Sequence, residues 1–444
     1  MLERLAQLIV INVVACGACS GQSSGGSGQS SGDPQRATAG AAAVFAGDSS
    51  EAVIAHSASR NAAVVGEADC PGDSAETPQI PGSPLWLQSY AAPAITSVTS
   101  DSRGEVVFAR SGVEVVKLSC DGSLLWSHPF GSQVAVDDQD GVYVAGTFSG
   151  TLGAGESALS TTGTEAFLVK LDSDGNIVYA RALGEAADGA VESLAVDSGH
   201  HVAISGPGLG TVKLDENGDV LWQKAFSGKL RFDSAQNLLL SGELVGTLDF
   251  GAGTLTSRGG SDILLLKLAP DGTPLFARSF GDAGALQRAE AIAVDAEDNV
   301  VIAGTFDGRI DFGVGALELT PAQCSADAWC VTDGFVAKLD PQGQAIWSAA
   351  LGPMRAVSGA AIDHAGNSVL SGALPGGVRP FRQTWLATLD PNGVEAWHRS
   401  EWPDTGIGAG HGIAIDRDGR IFWSLSARPS LELEEQSYLV KLTP

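Results

Sequence analysis

The chain has 444 residues, 44% of them hydrophobic, which is enough to bury a large core. Its 52 acidic and 26 basic residues give a formal net charge of -26, which repels nucleic acid and anionic headgroups and excludes both as expected partners. Val, Ile and Leu come in short runs bounded by Gly, Asp, Asn and Ser, which excludes a helical protein and points to many short strands.

Residues 5–15, LAQLIVINVVA, are apolar but too short for a comfortable membrane span, and they end at Val13-Val14-Ala15-Cys16. This ending resembles the lipobox of bacterial lipoproteins, and the resemblance implies lipidation of Cys16. The alternative reading of the same residues is a plain cleaved signal peptide. Residues 1–19 are therefore read as a leader and 20–84 as a tether rich in Gly, Ser, Ala and Pro. The expected location is the outer membrane and periplasm or the cell surface, or otherwise the medium, with membrane contact only through the lipid.

From Leu85 a repeat takes over, and four strands recur in fixed order. Strand a ends in Asp101, Asp137, Asp197, Asp233, Asp295, Asp363 and Asp416. Each Asp can accept N–H bonds from the turn that follows. Strand b follows that turn, as in VYVAG (142–146) and VVIAG (300–304). Strand c ends in Lys117, Lys170, Lys213, Lys267, Lys338, Thr388 and Lys441 before a Gly-containing hairpin turn. Strand d carries Trp86, Trp126, Tyr179, Trp222, Phe276, Trp347 and Trp397, large bodies to pack on the next sheet. Seven units of four antiparallel strands predict an all-β, seven-bladed β-propeller over residues 85–444. The ordered chain begins with a d strand (Leu85 to Tyr90) and ends with a c strand (Tyr438 to Leu442). Pairing the two completes the seventh blade and seals the ring, and the closed ring is expected to be a monomer.

The runs GTFDGRIDFGVGAL (304–317), DGFVAKLD (333–340) and I-A-V-D-x-x-x-N-V-V-I-A-G resemble the SBBP-type seven-bladed propeller repeat of exported bacterial proteins. The resemblance implies a fold and an extracytoplasmic setting, and no defined reaction.

In such a ring the d–a and b–c connections share one face. The b–c segments of blades 2, 4 and 5 are long (147–165, 243–261, 305–333), so ligand binding is expected on that face. The same insertions also read as extra hairpins packed on the rim. Two residues before the strand-a Asp, six blades carry Thr99, Ala135, Ala195, Ala293, Ala361 and Ala414, whereas blade 4 carries Arg231, with Lys229 beside it. Neighbouring blades offer Glu192 and Glu290. The four form either a charge-compensated cluster at the channel or an anion site. His411, in GIGAGHG, lies near Trp402 and Asp404 as further candidate ligand contacts.

No HExxH, GxSxG or Walker loop occurs, and Asp-Phe-Gly at 249–251 and 311–313 reads as repeat packing. The expectation is a non-catalytic scaffold for a protein or glycan, with no cofactor and no metal. The alternative is an extracytoplasmic enzyme (a quinone-cofactor dehydrogenase, lyase or glycoside-active protein) with its site over the channel. Cys324 and Cys330 flank SADAW and are expected to bridge. A second bridge, Cys70–Cys120, is expected beside the closure point and would contribute about 2–4 kcal/mol.

Overall fold

The computed structural model describes residues 63–64, 80–153, 158–186, 191–251, 253–283, 286–319, 332–353, 355–375, 382–401, 407–428 and 434–444. Every described residue falls within one compact unit, Arg60–Pro444. Cys16, Cys70, Cys324, Cys330, Trp402 and Asp404 lie outside the described residues.

The apolar runs become the middle strands of radial sheets, where both faces meet a neighbouring blade. Two strands precede the first blade, β1 (Ala63–Val64) and β2 (Pro84–Ala91). Blade 1 then holds β3 (Ile95–Ser100), β4 (Val106–Arg110), β5 (Glu114–Leu118) and β6 (Leu124–His128). Blade 2 holds β7 (Gln133–Val136), β8 (Val142–Leu152), β9 (Leu159–Leu171) and β10 (Ile177–Glu185). In blade 3 the strands are β11 (Ser193–Val196), β12 (Val202–Gly206), β13 (Gly210–Leu214) and β14 (Val220–Lys224). Blade 4 is β15 (Lys229–Phe232), β16 (Leu238–Leu244), β19 (Asp262–Leu268) and β20 (Pro274–Phe280), with a small hairpin of β17 (Thr247–Asp249) and β18 (Thr254–Thr256) inserted.

Blade 5 repeats that plan with β21 (Gln287–Val294), β22 (Val300–Phe306), β25 (Asp333–Leu339) and β26 (Ala345–Pro353), and a hairpin of β23 (Arg309–Asp311) and β24 (Ala316–Glu318). Blade 6 is β27 (Ala356–Ile362), β28 (Ser368–Pro375), β29 (Arg382–Leu389) and β30 (Glu395–Glu401). Blade 7 takes β31 (Ile407–Ile415), β32 (Ile421–Arg428) and β33 (Gln436–Leu442) from the end of the chain and β2 from its beginning. A single parallel pair, Arg382↔Ile407, joins the sheets of blades 6 and 7.

Ring closure follows the offset in the sequence. β2 pairs antiparallel with β33 from Pro84↔Leu442 to Ala91↔Gln436. Thr443 completes the missing turn, because its N–H donates to the Ser83 carbonyl (2.9 Å) and its Oγ1 to the Ile80 carbonyl (2.8 Å). The outer edge of β2 is itself covered by β1 (Ala63↔Leu87, Val64↔Trp86), inside the stretch the sequence read as tether. An edge strand offers unpaired N–H and C=O groups, and these two residues satisfy some of them.

The cores lie between blades rather than within them. The buried apolar residues form seven clusters, one for each interface. The cluster joining the ends of the ring sets Phe422 and Leu439 of blade 7 against Ile95 and Phe108 of blade 1.

Two polar devices repeat beneath these cores. Oδ1 of every strand-a Asp accepts backbone N–H bonds from the second and fourth residues after it; for Asp295 these are Glu297 (3.1 Å) and Asn299 (2.7 Å). In six blades Oδ2 faces the strand-c Lys. Lys117–Asp101, Lys267–Asp233 and Lys338–Asp295 are 2.8 Å apart, Lys170–Asp137 3.4 Å, Lys213–Asp197 3.6 Å and Lys441–Asp416 3.9 Å.

The second device is a latch to the next blade. The indole N–H of Trp126 donates to the Ser173 carbonyl (3.1 Å) in the next blade's c–d turn, and Trp86, Trp222 and Trp347 donate likewise to Cys120, Pro270 and Pro391. Each strand-d aromatic covers a turn glycine of its neighbour. A Cβ at Gly175, where φ is +88°, would lie 2.9 Å from Trp126. Across the closure, Trp397 covers Gly82 in the same way.

Candidate functional site: the axial channel and its loop-side rim

Strand a of each blade pairs with strand b on one edge and turns its other edge to the ring axis. Between the seven strands lies a cavity of about 480 Å³, lined by residues of β3, β7, β11, β15, β21, β27 and β31. Glu192, Lys229, Arg231 and Glu290 all line it, so the structure brings together four of the residues singled out in the sequence.

Arg231 stands at a level where the other six strands carry Thr99, Ala135, Ala195, Ala293, Ala361 and Ala414, all of which line the same cavity. Small side chains leave the bore open there, and the guanidinium occupies that opening. Arg231 is exposed to the bore, and the wall packed around that bore partly desolvates it and lowers its pKa from the ordinary guanidinium value. It stays charged at neutral pH. Its Nη1 donates to the Leu230 carbonyl at 2.8 Å, and Lys229 Nζ donates to the Glu192 carbonyl at 3.4 Å.

Neither cation forms an ion pair with a described carboxylate. The compensating pairs expected with Glu192 and Glu290 are therefore not made. For Arg231 the reason is axial distance, whereas Lys229 reaches the Glu192 backbone carbonyl rather than its carboxylate. Both glutamates lie five residues before their strand-a Asp and Arg231 lies two before its own. At about 3.3 Å per residue that is roughly 10 Å.

The glutamates belong to a polar collar at the loop-side mouth. The residues at that level are Thr96, Ser132, Glu192, Gly228, Glu290, Ser358 and His411. In blades 1, 5, 6 and 7 the ladder carries a β-bulge here, between Ile95/Ser97, Ala289/Ala291, Val357/Gly359 and Gly410/Ile413. A bulge frees one residue from pairing and re-aims it. Thr96, Glu290 and Ser358 use that freedom to line the cavity. Sequence reasoning missed the hydroxyls of this collar; counting back from the seven Asp marks would have found them.

His411 lies on strand β31 rather than in a loop, because the glycines around it let the strand continue through its bulge. Its Nε2 meets Ser426 Oγ at 2.9 Å, and burial lowers the imidazole pKa, opposed by the charge of Glu435. Ser426 is 3% exposed, so this Ser–His pair is a bond within the sheet and offers no nucleophile to solvent.

The rim beyond the mouth is where the blades differ. In blade 2 the b–c insertion lengthens β8 and β9 into one continuous hairpin. In blades 4 and 5 it forms the separate β17–β18 and β23–β24 hairpins. Both are fixed by Asp-Phe-Gly. Asp249 and Asp311 each cap the glycine N–H two residues on at 2.8 Å. Phe250 and Phe312 are buried against Phe226 (5.6 Å) and Phe280 (4.9 Å). The motif is packing, as the sequence indicates, and the insertions are rim hairpins. Val245, Leu248, Leu286 and Val314 remain exposed on this side.

On the opposite face Asp137, Asp138 and His200 bring three metal-type ligand atoms within 4.8 Å of one another. His200 Nδ1 lies 3.2 Å from Asp137 Oδ2, and Lys170 Nζ lies 3.4 Å from the same oxygen. An ammonium there already neutralises the carboxylate, so the geometry is that of a staple between blades 2 and 3. Cys120, in the β5–β6 turn, is disulfide-bonded. The pairings Cys70–Cys120 and Cys324–Cys330 involve residues outside those described.

No protein-family model matches the chain, and no curated protein matches it. The SBBP-type resemblance therefore rests on the motifs quoted above. Solved structures that match include BamB from Moraxella catarrhalis, at 13% identity, 80% of this chain, 100% of that one and a TM-score of 0.45. The Pan2 WD40 domain from Neurospora crassa matches at 9% identity, 79% of this chain, 89% of that one and a TM-score of 0.43.

Proposed function

We propose that this propeller is a non-catalytic binding scaffold that engages a protein or glycan with its b–c/d–a face. One observation carries the reading. The two faces have the same blades behind them, yet among the described residues only this one bears inserted hairpins, with Val245, Leu248, Leu286 and Val314 left exposed on it. Variable loops on a rigid frame are where recognition concentrates. An extracytoplasmic setting belongs to the same proposal. The leader pattern around Cys16 and the disulfide at Cys120 support it, since such bridges persist in oxidising compartments.

Site-specific photocrosslinking in the native host tests the face assignment. Probes replacing Leu248 and Val314 should give discrete adducts, whereas probes at Asp174 and Asp271, on the c–d turns, should give none. Equal labelling from both faces, or none from either, would end the proposal.

A further inference from the structure

We propose that Arg231 is the floor of an anion-binding subsite in the axial channel, which takes a carboxylate or phosphate group presented through the loop-side mouth. Four observations converge on it. Arg231 is a guanidinium at a level where the six other strands carry only Thr or Ala, so the bore is open around it. It is exposed to the bore, and its described hydrogen bond is to the Leu230 carbonyl, with no described carboxylate paired to it. A guanidinium with donors to spare is the residue best matched to a carboxylate or phosphate fork.

Lys229 stands two residues nearer the mouth and also lines the cavity, so an entering anion meets two cations in sequence. The chain as a whole carries a formal charge of -26, so a cation with no described carboxylate partner in the axial cavity is not a by-product of a basic surface. Glu192 and Glu290 at the collar then set selectivity. They repel free polyanions and favour a ligand whose anionic end is narrow and whose other end is neutral or cationic. The subsite lies in the bore beneath the face discussed above and does not rest on that face being an interaction surface.

Titration calorimetry on the purified chain tests this, with inorganic phosphate and succinate as separate probes. Saturable binding of either supports the subsite, and which of the two binds better names the anion. Arg231→Ala should weaken that binding about tenfold or more, as loss of a charge-assisted contact requires, and Lys229→Ala should weaken it less. Glu192→Gln with Glu290→Gln should strengthen it. Arg231→Ala should also melt no lower than the parent, because the described bond it loses is to the adjacent Leu230 carbonyl and ties no other strand, and Arg231→Lys should retain part of the binding. Equal binding by the parent and Arg231→Ala, or none by the parent, overturns the proposal. Val245→Asp, Leu248→Asp and Val314→Asp should leave anion binding unchanged, so this site and the face assignment can fail separately.

Discussion

The two faces of the ring are built from the same seven sheets and obey different rules. On the turn face the blades are close copies: a capping Asp, a strand-c Lys beneath it in six of them, and an aromatic over the next blade's glycine. On the loop face blade 2 extends its own β8–β9 hairpin, blades 4 and 5 insert a separate Asp-Phe-Gly hairpin, and the channel strand of blade 4 breaks its column with Arg231. Repetition marks where stability is made, since each unit must grip an identical neighbour. Departure from repetition marks where the chain has been free to specialise.

The sharpest way to break this division is to remove a repeated cation. Lys267 is 8% exposed and holds Asp233 at 2.8 Å while donating to the Pro341 carbonyl of the next blade at 3.0 Å. Lys267→Ala leaves a buried carboxylate without its countercharge, and about 3–5 kcal/mol of unfolding free energy should be lost. Urea denaturation reads this directly. A loss below 1 kcal/mol would mean that the pair is incidental and the turn face is not the stabilising one.

A smaller loss is expected from Gly175→Ala. The residue sits at φ +88°, and its new Cβ would lie 2.9 Å from Trp126. Left-handed backbone strain and displacement of the indole together cost about 2 kcal/mol. Trp126 fluorescence should shift at the same time, because its N–H loses the Ser173 carbonyl.

How far these features could be read in advance depends on their range along the chain. The Asp caps were legible because donor and acceptor are two and four residues apart, as in Asp363 with Ala365 and Asn367. The aromatic of strand d was legible as an apolar body, but the carbonyl taking the Trp126 N–H lies 47 residues on, beyond any local pattern. Lys338 was visible as a mark with no partner, because Asp295 reaches it only after the sheet has folded. Ring closure could be read from the phase of the two ends. Arg231 stood out because it breaks a column of small residues. That it meets neither Glu192 nor Glu290 follows from depth along the bore, which counting back from each strand-a Asp would have given. β1 was missed because two residues carry no periodicity.

Titration separates the two faces by pH. Asp233 and Asp295 are pushed up by burial, but Lys267 and Lys338 with the turn hydrogen bonds bring both below the ordinary value of 3.8. Their contribution to stability is therefore complete above pH 3.8 and is lost as the pH falls through their folded values. His411, on the loop side of blade 7, behaves differently. Burial lowers its pKa below 6.5, so the native state holds it neutral. Protonation favours the unfolded chain, and stability should decline as the pH falls below 6.5 toward the folded value. A melting-temperature profile should show this shallow loss ahead of the steep acid transition, and His411→Gln should remove the first while leaving the second. A profile that Gln does not change would place the loss elsewhere.

The gentlest test uses the one blade that departs from the turn-face rule. Blade 6 carries Thr388 where the others carry Lys, and its Asp363, unlike the other six strand-a Asp residues, is not buried. Asp363 keeps its caps and Asn367 Nδ2 (2.8 Å), so what it lacks is the ammonium alone. If the Asp–Lys unit stabilises any blade in which it is assembled, Thr388→Lys should raise unfolding free energy by about 0.5–1 kcal/mol, less than the loss at Lys267 because the new pair stays partly wet. The gain should vanish in Asp363→Asn with Thr388→Lys, where the carboxylate is gone but the new side chain remains. A gain that survives the Asn would come from the lysine stem covering apolar surface instead. A loss in both would show that blade 6 has packed Thr388 into a space too small for Lys, and that the repeat had already specialised there.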